Sequence, residues 1–123
     1  MESLKPNFKK RDGLVPVVAQ DEATKEILML AYADEKAYFQ TLETGLATYY
    51  STSRKQIWVK GEMSGSTQTV RKVLLDCDGD ALAYVVRQNG SGACHTGNKT
   101  CFSGASDKTK RVPDTVFETD TVF

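Results

Sequence analysis

The sequence LVPVVAQ at residues 14–20 is rich in β-branched residues and predicts a strand. Pro16 stands near its start, where a missing N–H does least harm. A turn at residues 21–25 separates this strand from a second, mostly apolar stretch at residues 26–32. Two extended segments joined by a short turn predict a β-hairpin at the start of the fold.

One convincing helix follows the hairpin. Asp34 offers a side-chain oxygen as N-cap, Glu35 places acidic charge in the first turn, and Gly45 suits the position just after the helix. Ala37 or Tyr38, together with Thr41 or Leu42, has the helical spacing of residues on one face, and we predict that this face is buried. Four later stretches rich in Val, Tyr, Thr and Leu predict strands, at residues 46–52, 56–60, 67–76 and 81–88. The pattern predicts a β-rich α+β fold.

The composition is that of an ordinary single domain. The 123 residues include 16 basic and 16 acidic ones, so the formal net charge is zero, and 40% are hydrophobic. The sequence has no excess of basic residues that would favour binding of nucleic acid, and its apolar stretches are too short to span a membrane. The first residues lack the features of a signal peptide. We therefore expect a cytoplasmic protein, in which three reduced cysteines serve metal binding or catalysis.

The three cysteines predict a zinc site. Cys94 and Cys101 lie in a Gly-rich loop at residues 89–106, and Cys77 precedes them. Three thiolates around zinc leave a fourth tetrahedral position, which water fills in a catalytic site. His95, the only histidine, could instead be the fourth ligand of a closed, structural Cys3His site. Unligated cysteines packed in a core are the third alternative.

Three aspartates alternate around the first cysteine, at Asp76, Asp78 and Asp80. If this segment is extended, the carboxylates share one face and Cys77 points to the other. Carboxylates suit Mg²⁺ and thiolates suit Zn²⁺. An EF-hand is rejected because glycine stands fourth in the segment rather than sixth. A solvated acidic turn is the alternative, but neighbouring carboxylates repel one another unless a cation neutralises them, so we predict Mg²⁺.

A further segment suits a phosphorylated ligand that carries a ring. WVKGEMSG at residues 58–65 combines an aromatic ring, a cation, a carboxylate and two glycines. Lys60 and backbone N–H groups could hold phosphate while Trp58 stacks on a base. A hairpin with Trp58 packed in the core is the alternative. In YYSTSR, at residues 49–54, Arg54 is the candidate phosphate ligand.

Taken together, these blocks closely resemble the phosphoribosyl-AMP cyclohydrolase family of histidine biosynthesis. The resemblance runs from about Gly13 to Phe102 and includes WxKGExSG at 58–65, DCDGDA at 76–81 and CHTG at 94–97 with Cys101. It divides the chain into a leader at 1–13, a cyclohydrolase domain at 14–105 and a tail at 106–123. We expect the stand-alone form, without the pyrophosphohydrolase domain that is fused to it in some organisms.

The resemblance implies a hydrolase that opens the adenine ring of 1-(5-phosphoribosyl)-AMP between N1 and C6. The product would be the phosphoribosyl-formimino imidazole carboxamide ribotide. By the same resemblance, His95 is the base that activates a zinc-bound water. The implied metal ligands are Cys77, Cys94 and Cys101 for zinc, and Asp76, Asp78 and Asp80 for magnesium. The candidate substrate-binding residues are Arg54, Trp58, Lys60, Glu62 and Ser64.

The resemblance also implies an intertwined homodimer, with one zinc per subunit. Cys77 of one chain would complete a site built on Cys94 and Cys101 of the other. The expected architecture is a strongly curved sheet with one main helix packed against it.

Two positions depart from the family pattern. Thr52 stands where an arginine is common, and the loop before Cys94 is one residue longer, with Ser91-Gly92 where a proline is common. A nucleoside deaminase would also attack adenine C6, but its His-x-Glu and Pro-Cys-x-x-Cys motifs are missing from this sequence. The remaining alternative is a non-catalytic module whose Cys3His zinc holds the Gly-rich loop.

Overall fold

The computed structural model describes residues 4–94 and 98–102, which contain six strands and one α-helix. In chain order these are β1 (Val15–Asp21), β2 (Ile27–Ala33), α1 (Glu35–Thr44), β3 (Thr48–Ser51), β4 (Gln56–Val59), β5 (Gln68–Leu75) and β6 (Leu82–Gln88). The predicted order of elements is confirmed, with shifts of one or two residues at their ends. Within the described part of the chain, no helix combines the length and apolar character needed to cross a bilayer.

All six strands form one sheet, in the order β4-β3-β2-β1-β6-β5. The predicted hairpin is confirmed, because β1 and β2 pair in antiparallel fashion. The pair β1 and β6 is parallel, and the other neighbours are antiparallel. The two strands β1 and β6 therefore run in the same direction in the middle of the sheet.

The sheet curls strongly into a half-barrel, as expected. The chain just before β3 reaches β5, the strand at the far edge of the sheet. The Ala47 N–H donates to the Gln68 carbonyl at 2.9 Å, and the Val70 N–H donates to the Gly45 carbonyl at 2.8 Å. Such bonds between distant strands require strong curvature.

The core lies on the concave side of the sheet. Alternate residues of β1 and β6 are buried, as expected for strands with one covered face. In β5 the alternation breaks at a bulge between Val70 and Lys72, where Arg71 is the extra residue. A bulge shifts the side-chain parity, and this explains why a regular apolar pattern is missing from the sequence of β5.

The helix begins and ends where its caps predict. The Asp34 side chain accepts a hydrogen bond from the Ala37 N–H at 2.8 Å, and Gly45 adopts a φ of 79° and donates to the Thr41 carbonyl. Ala37, Tyr38 and Thr41 are buried, which confirms the predicted face. The Thr41 hydroxyl accepts from the Thr48 N–H at 2.9 Å, so α1 is tied directly to β3.

Residues 4–13, within the predicted leader, pack against the rest of the chain. Phe8 is buried and its ring lies 5.9 Å from that of Tyr38. The Tyr38 hydroxyl donates to the Leu4 carbonyl, and the Asn7 N–H donates to the Gly79 carbonyl, each at 2.6 Å. This segment therefore places its basic side chains beside the turn between β5 and β6. The predicted tail at 106–123 lies outside the described residues.

Candidate active site

The five candidate substrate-binding residues line one cavity of about 520 Å³, together with Cys94. They are Arg54, Trp58, Lys60, Glu62 and Ser64. This volume is typical of small-molecule sites. The structure therefore gathers into one place residues that the sequence distributes over eleven positions and a distant loop.

Strand β4 and the turn after it form one wall of this cavity. The turn is closed by a hydrogen bond from the Gly65 N–H to the Gly61 carbonyl at 2.8 Å. Gly61 has a φ of 73°, and a Cβ added to it would overlap the Ser66 carbonyl. Glycine is therefore required where the two sides of the turn approach each other.

Trp58 joins the cavity to the core. Its side chain is half-buried, and its ring lies 5.4 Å from the buried ring of Tyr49. The ammonium of Lys60 lies 5.8 Å from the centroid of the same ring. A planar base stacked on Trp58 would therefore have a cation beside it.

A buried hydrogen-bond network, which the sequence did not indicate, lies beneath the cavity. The Tyr49 hydroxyl donates to Oε1 of Gln68 at 2.6 Å, and Nε2 of Gln68 donates to Oε1 of Gln88 at 2.9 Å. Gln88 in turn donates to the carbonyl of Ser66, which lines the cavity. The only sequence signal was a glutamine in each of two predicted strands.

The longer loop before Cys94 is tied to the cavity wall. The Ser91 N–H donates to the Ser66 hydroxyl at 3.3 Å, and the two hydroxyls lie 3.4 Å apart. After Cys94 the chain returns, with the Cys101 N–H donating to the Leu28 carbonyl at 2.7 Å. Both ends of the loop are thus held by the body of the domain.

The thiols of Cys94 and Cys101 are hydrogen-bonded neighbours. Desolvation is the largest cause that raises the pKa of the Cys101 thiol, and the contact with Cys94 raises it further, although the residue is exposed. Two adjacent soft donors fit zinc, whose charge would stabilise both thiolates. His95 lies outside the described residues.

Cys77 is far from this pair. It lies in the turn before β6, whereas Cys94 follows the other end of β6, and seven strand residues span about 20 Å. The neighbouring Asp78 carboxylate accepts a hydrogen bond from the Cys77 thiol and raises its pKa. Among the described residues, no three His, Cys, Asp or Glu side chains are grouped to hold a metal. One chain therefore supplies at most two of the three proposed zinc thiolates to one ion.

Residues 76–80 are not extended, so the condition under which their side chains would alternate between two faces is not met. This segment is a turn, in which the Gly79 N–H donates to the Asp76 carbonyl and the Asp76 N–H donates to the Ala81 carbonyl, each at 3.0 Å. Gly79, with a φ of 76°, allows the chain to reverse. Alternation of side chains therefore does not separate the carboxylates from Cys77.

Two basic side chains hold the carboxylate of Asp80. Lys10 Nζ lies 2.7 Å and an Arg11 guanidinium nitrogen 2.8 Å from Oδ2 of this buried residue. These hydrogen bonds lower the pKa of Asp80 to about 2. Lys10 also lies 3.8 Å from Asp78, so a cation already bridges two of the three carboxylates. The carboxylates of Asp78 and Asp80 together fit a cation, although Mg²⁺ would compete with Lys10 for them. Asp76 instead accepts hydrogen bonds from the N–H groups of residues 80 and 81.

Comparison of the sequence with known proteins shows the family to which the chain belongs. A sequence model described as phosphoribosyl-AMP cyclohydrolase matches residues 29–103. A phosphoribosyl-AMP cyclohydrolase of Syntrophotalea carbinolica is 55% identical over 96 residues, which are 78% of this chain and 77% of that protein. The chain belongs to the phosphoribosyl-AMP cyclohydrolase family. A cyclohydrolase of Bacillus cereus is 57% identical over 99 residues, 80% of this chain and 95% of that protein.

A histidine biosynthesis bifunctional protein of Aquifex aeolicus is 59% identical over 91 residues, which are 74% of this chain and 44% of that protein. The predicted family and class of enzyme are confirmed. The matched segment of the family contains the whole candidate cavity wall, from Arg54 to Cys94, and all six proposed metal ligands.

Proposed function

We propose that this chain hydrolyses phosphoribosyl-AMP with zinc as its resident metal, opening the adenine ring between N1 and C6. The observation that carries the proposal is the shared cavity, in which an aromatic ring, two cations and the thiol of Cys94 surround one space. A phosphorylated purine needs an aromatic surface and positive charge, and its reaction needs an activated water.

The cavity residues bind and orient the substrate. Trp58 stacks on the adenine, and Lys60 and Arg54 neutralise phosphate. The Ser64 hydroxyl donates a hydrogen bond to phosphate. Glu62 accepts hydrogen bonds from ribose hydroxyls, because a carboxylate beside phosphate would be repelled.

Hydrolysis adds water to C6 and breaks the N1–C6 bond. The water oxygen becomes the carboxamide oxygen, and the two protons of the water end on N1 and on the nitrogen attached to C6. We assign His95 as the base that takes the first proton and returns one to N1. Bound zinc would supply the Lewis acidity that makes water a stronger nucleophile.

The third zinc thiolate comes from a second copy of the chain. Cys94 and Cys101 provide two ligands, and the distance of Cys77 from them supports the partner subunit as the source of the third. The aspartate turn that contains Cys77 would reach the partner's cavity together with it. Mg²⁺ at Asp76, Asp78 and Asp80 would have to displace Lys10 and draw the three carboxylates together. In that position it would neutralise charge near a substrate phosphate.

An apolar row on the convex face of the sheet also supports a homodimer. Leu30 pairs with Val18, Val18 with Ala83, and Ala83 with Leu74, so the row crosses four strands. Leu30 and Leu74 are 52% and 46% exposed. A second chain would cover this surface.

A cytoplasmic location would keep all three thiols reduced for zinc.

The first test is the change in ultraviolet absorbance when zinc-loaded protein meets phosphoribosyl-AMP and Mg²⁺. We expect turnover that a chelator abolishes. His95→Ala should lose turnover but keep its zinc. Loss of the metal in this variant would instead identify His95 as a ligand of a structural site.

Mixed dimers test the shared zinc site. Cys77→Ser and Cys94→Ser should each lose zinc and activity. If the two variants are unfolded and refolded together, half of the dimers carry one intact site of two, so about one quarter of the wild-type zinc and activity should return. A mixture that stays inactive and metal-free would contradict the shared site. A mixture of Cys94→Ser with Cys101→Ser is the matched control, because no intact site can form.

A further inference from the structure

A second cavity of about 410 Å³ adjoins the first at Trp58. It shares Arg54, Gln56 and Trp58 with the first cavity, so these side chains separate two adjoining spaces. Cys94 lines only the first of them.

The second cavity is built around the turn between β3 and β4. Ser51, Thr52 and Ser53, which carry hydroxyl groups, line it together with the aromatic residues Tyr32 and Tyr50. The turn is held by a hydrogen bond from the Arg54 N–H to the Ser51 hydroxyl at 3.1 Å and by another from the Lys55 N–H to the Ser51 carbonyl at 2.7 Å. Hydroxyls beside a guanidinium suit a sugar phosphate.

The substrate of the proposed function has two phosphoribosyl arms, on N1 and on N9 of the adenine. N1 is bonded to the reacting carbon C6, whereas N9 belongs to the five-membered ring on the far side of the purine. The reacting carbon must lie near Cys94 and therefore in the first cavity. The N1 arm stays beside it, while a purine stacked on Trp58 directs the N9 arm across the tryptophan.

We infer that the second cavity binds the ribose 5-phosphate of the AMP half, while the first cavity binds the N1 arm and the reacting carbon. The inference rests on the proposed function. Arg54, which reaches both spaces, contacts the AMP phosphate. Thr52 and Ser53 are specific to the AMP arm, and Lys60 and Ser64 to the N1 arm.

Two charge substitutions at exposed positions separate the arms. Thr52→Glu places a negative charge in the second cavity and Ser64→Glu places one in the first. AMP carries only the N9 arm, and its binding to zinc-loaded protein can be followed by the fluorescence of Trp58, the single tryptophan. The KM for phosphoribosyl-AMP reports on both arms. Thr52→Gln and Ser64→Gln control for side-chain size.

Thr52→Glu should weaken AMP binding and raise the KM for phosphoribosyl-AMP, each by about tenfold or more through charge repulsion. Ser64→Glu should raise this KM similarly but change the Kd for AMP by less than about twofold. Clearly weakened AMP binding in Ser64→Glu, or an unchanged Kd for AMP in Thr52→Glu, would overturn the inference. If the two variants follow this pattern in AMP binding but the wild-type protein shows no turnover of phosphoribosyl-AMP, the proposed reaction is contradicted and the subsite is not.

Discussion

The buried hydroxyl of Tyr49 offers a direct test of the network beneath the cavity. It donates to Oε1 of Gln68 at 2.6 Å, and both side chains are 0% exposed. Burial raises the pKa of this hydroxyl, so it remains protonated and able to donate. Tyr49→Phe removes the donor and leaves the buried Oε1 of Gln68 without this hydrogen bond. The substitution should therefore lower the free energy of unfolding by about 1–3 kcal/mol.

Urea unfolding followed by Trp58 fluorescence measures this change. All variants must be compared at one protein concentration, because association with a second copy would add to the apparent stability. Tyr32→Phe is the matched control. Tyr32 is 41% exposed, so loss of its hydroxyl should change the free energy of unfolding by less than about 0.5 kcal/mol.

A double substitution tests whether the hydrogen bond itself is responsible. Gln68→Leu should cost more than Tyr49→Phe, because both the Tyr49 hydroxyl and Oε1 of Gln88 lose a partner. The double variant has no Tyr49 hydroxyl that could be left unpaired. Its loss of stability should therefore be smaller than the sum of the losses in the two single variants by at least about 1 kcal/mol. Strict additivity, or a Tyr49→Phe variant as stable as wild type with an unchanged m-value, would refute the reasoning.

Three further predictions concern single positions. Gly61→Ala should destabilise the protein far more than Gly65→Ala in urea unfolding. An added Cβ overlaps the Ser66 carbonyl at Gly61 but meets nothing within 4 Å at Gly65. Equal losses of stability would contradict the close approach of Gly61 to Ser66. Asp34→Ala removes the N-cap of α1 and should cost about 1 kcal/mol in thermal unfolding followed by circular dichroism, and an unchanged midpoint would argue against the cap. In metal-free protein, the pKa of Asp80 is lowered from 3.8 to about 2, so the stability from its ionised form is present above pH 3.8 and is lost as the pH falls towards 2. Urea unfolding between pH 5 and pH 2 should therefore show a shallower pH dependence for Asp80→Asn, and identical slopes would count against the contacts with Lys10 and Arg11.

The sequence by itself determined the local elements and the family. The hairpin and the helix with its caps depend on neighbours within a few residues, where propensity and hydrogen bonding act directly. The blocks around Lys60, Cys77 and Cys94 were sufficient to predict the family, because each combines several rare residue types at short spacing. Their order along the chain made that combination specific.

Only the tertiary structure decided how these residues are distributed in space. The bulge at Arg71 follows from pairing between β5 and β6, and pairing over a distance leaves little trace in local sequence. The contact between Lys10 and Asp80 joins residues seventy positions apart. Likewise, the length of β6 separates Cys77 from Cys94, and the sheet gathers Arg54 and Ser64 around one cavity. Such distances depend on the path of the whole backbone, and sequence spacing measures only the length of chain between residues.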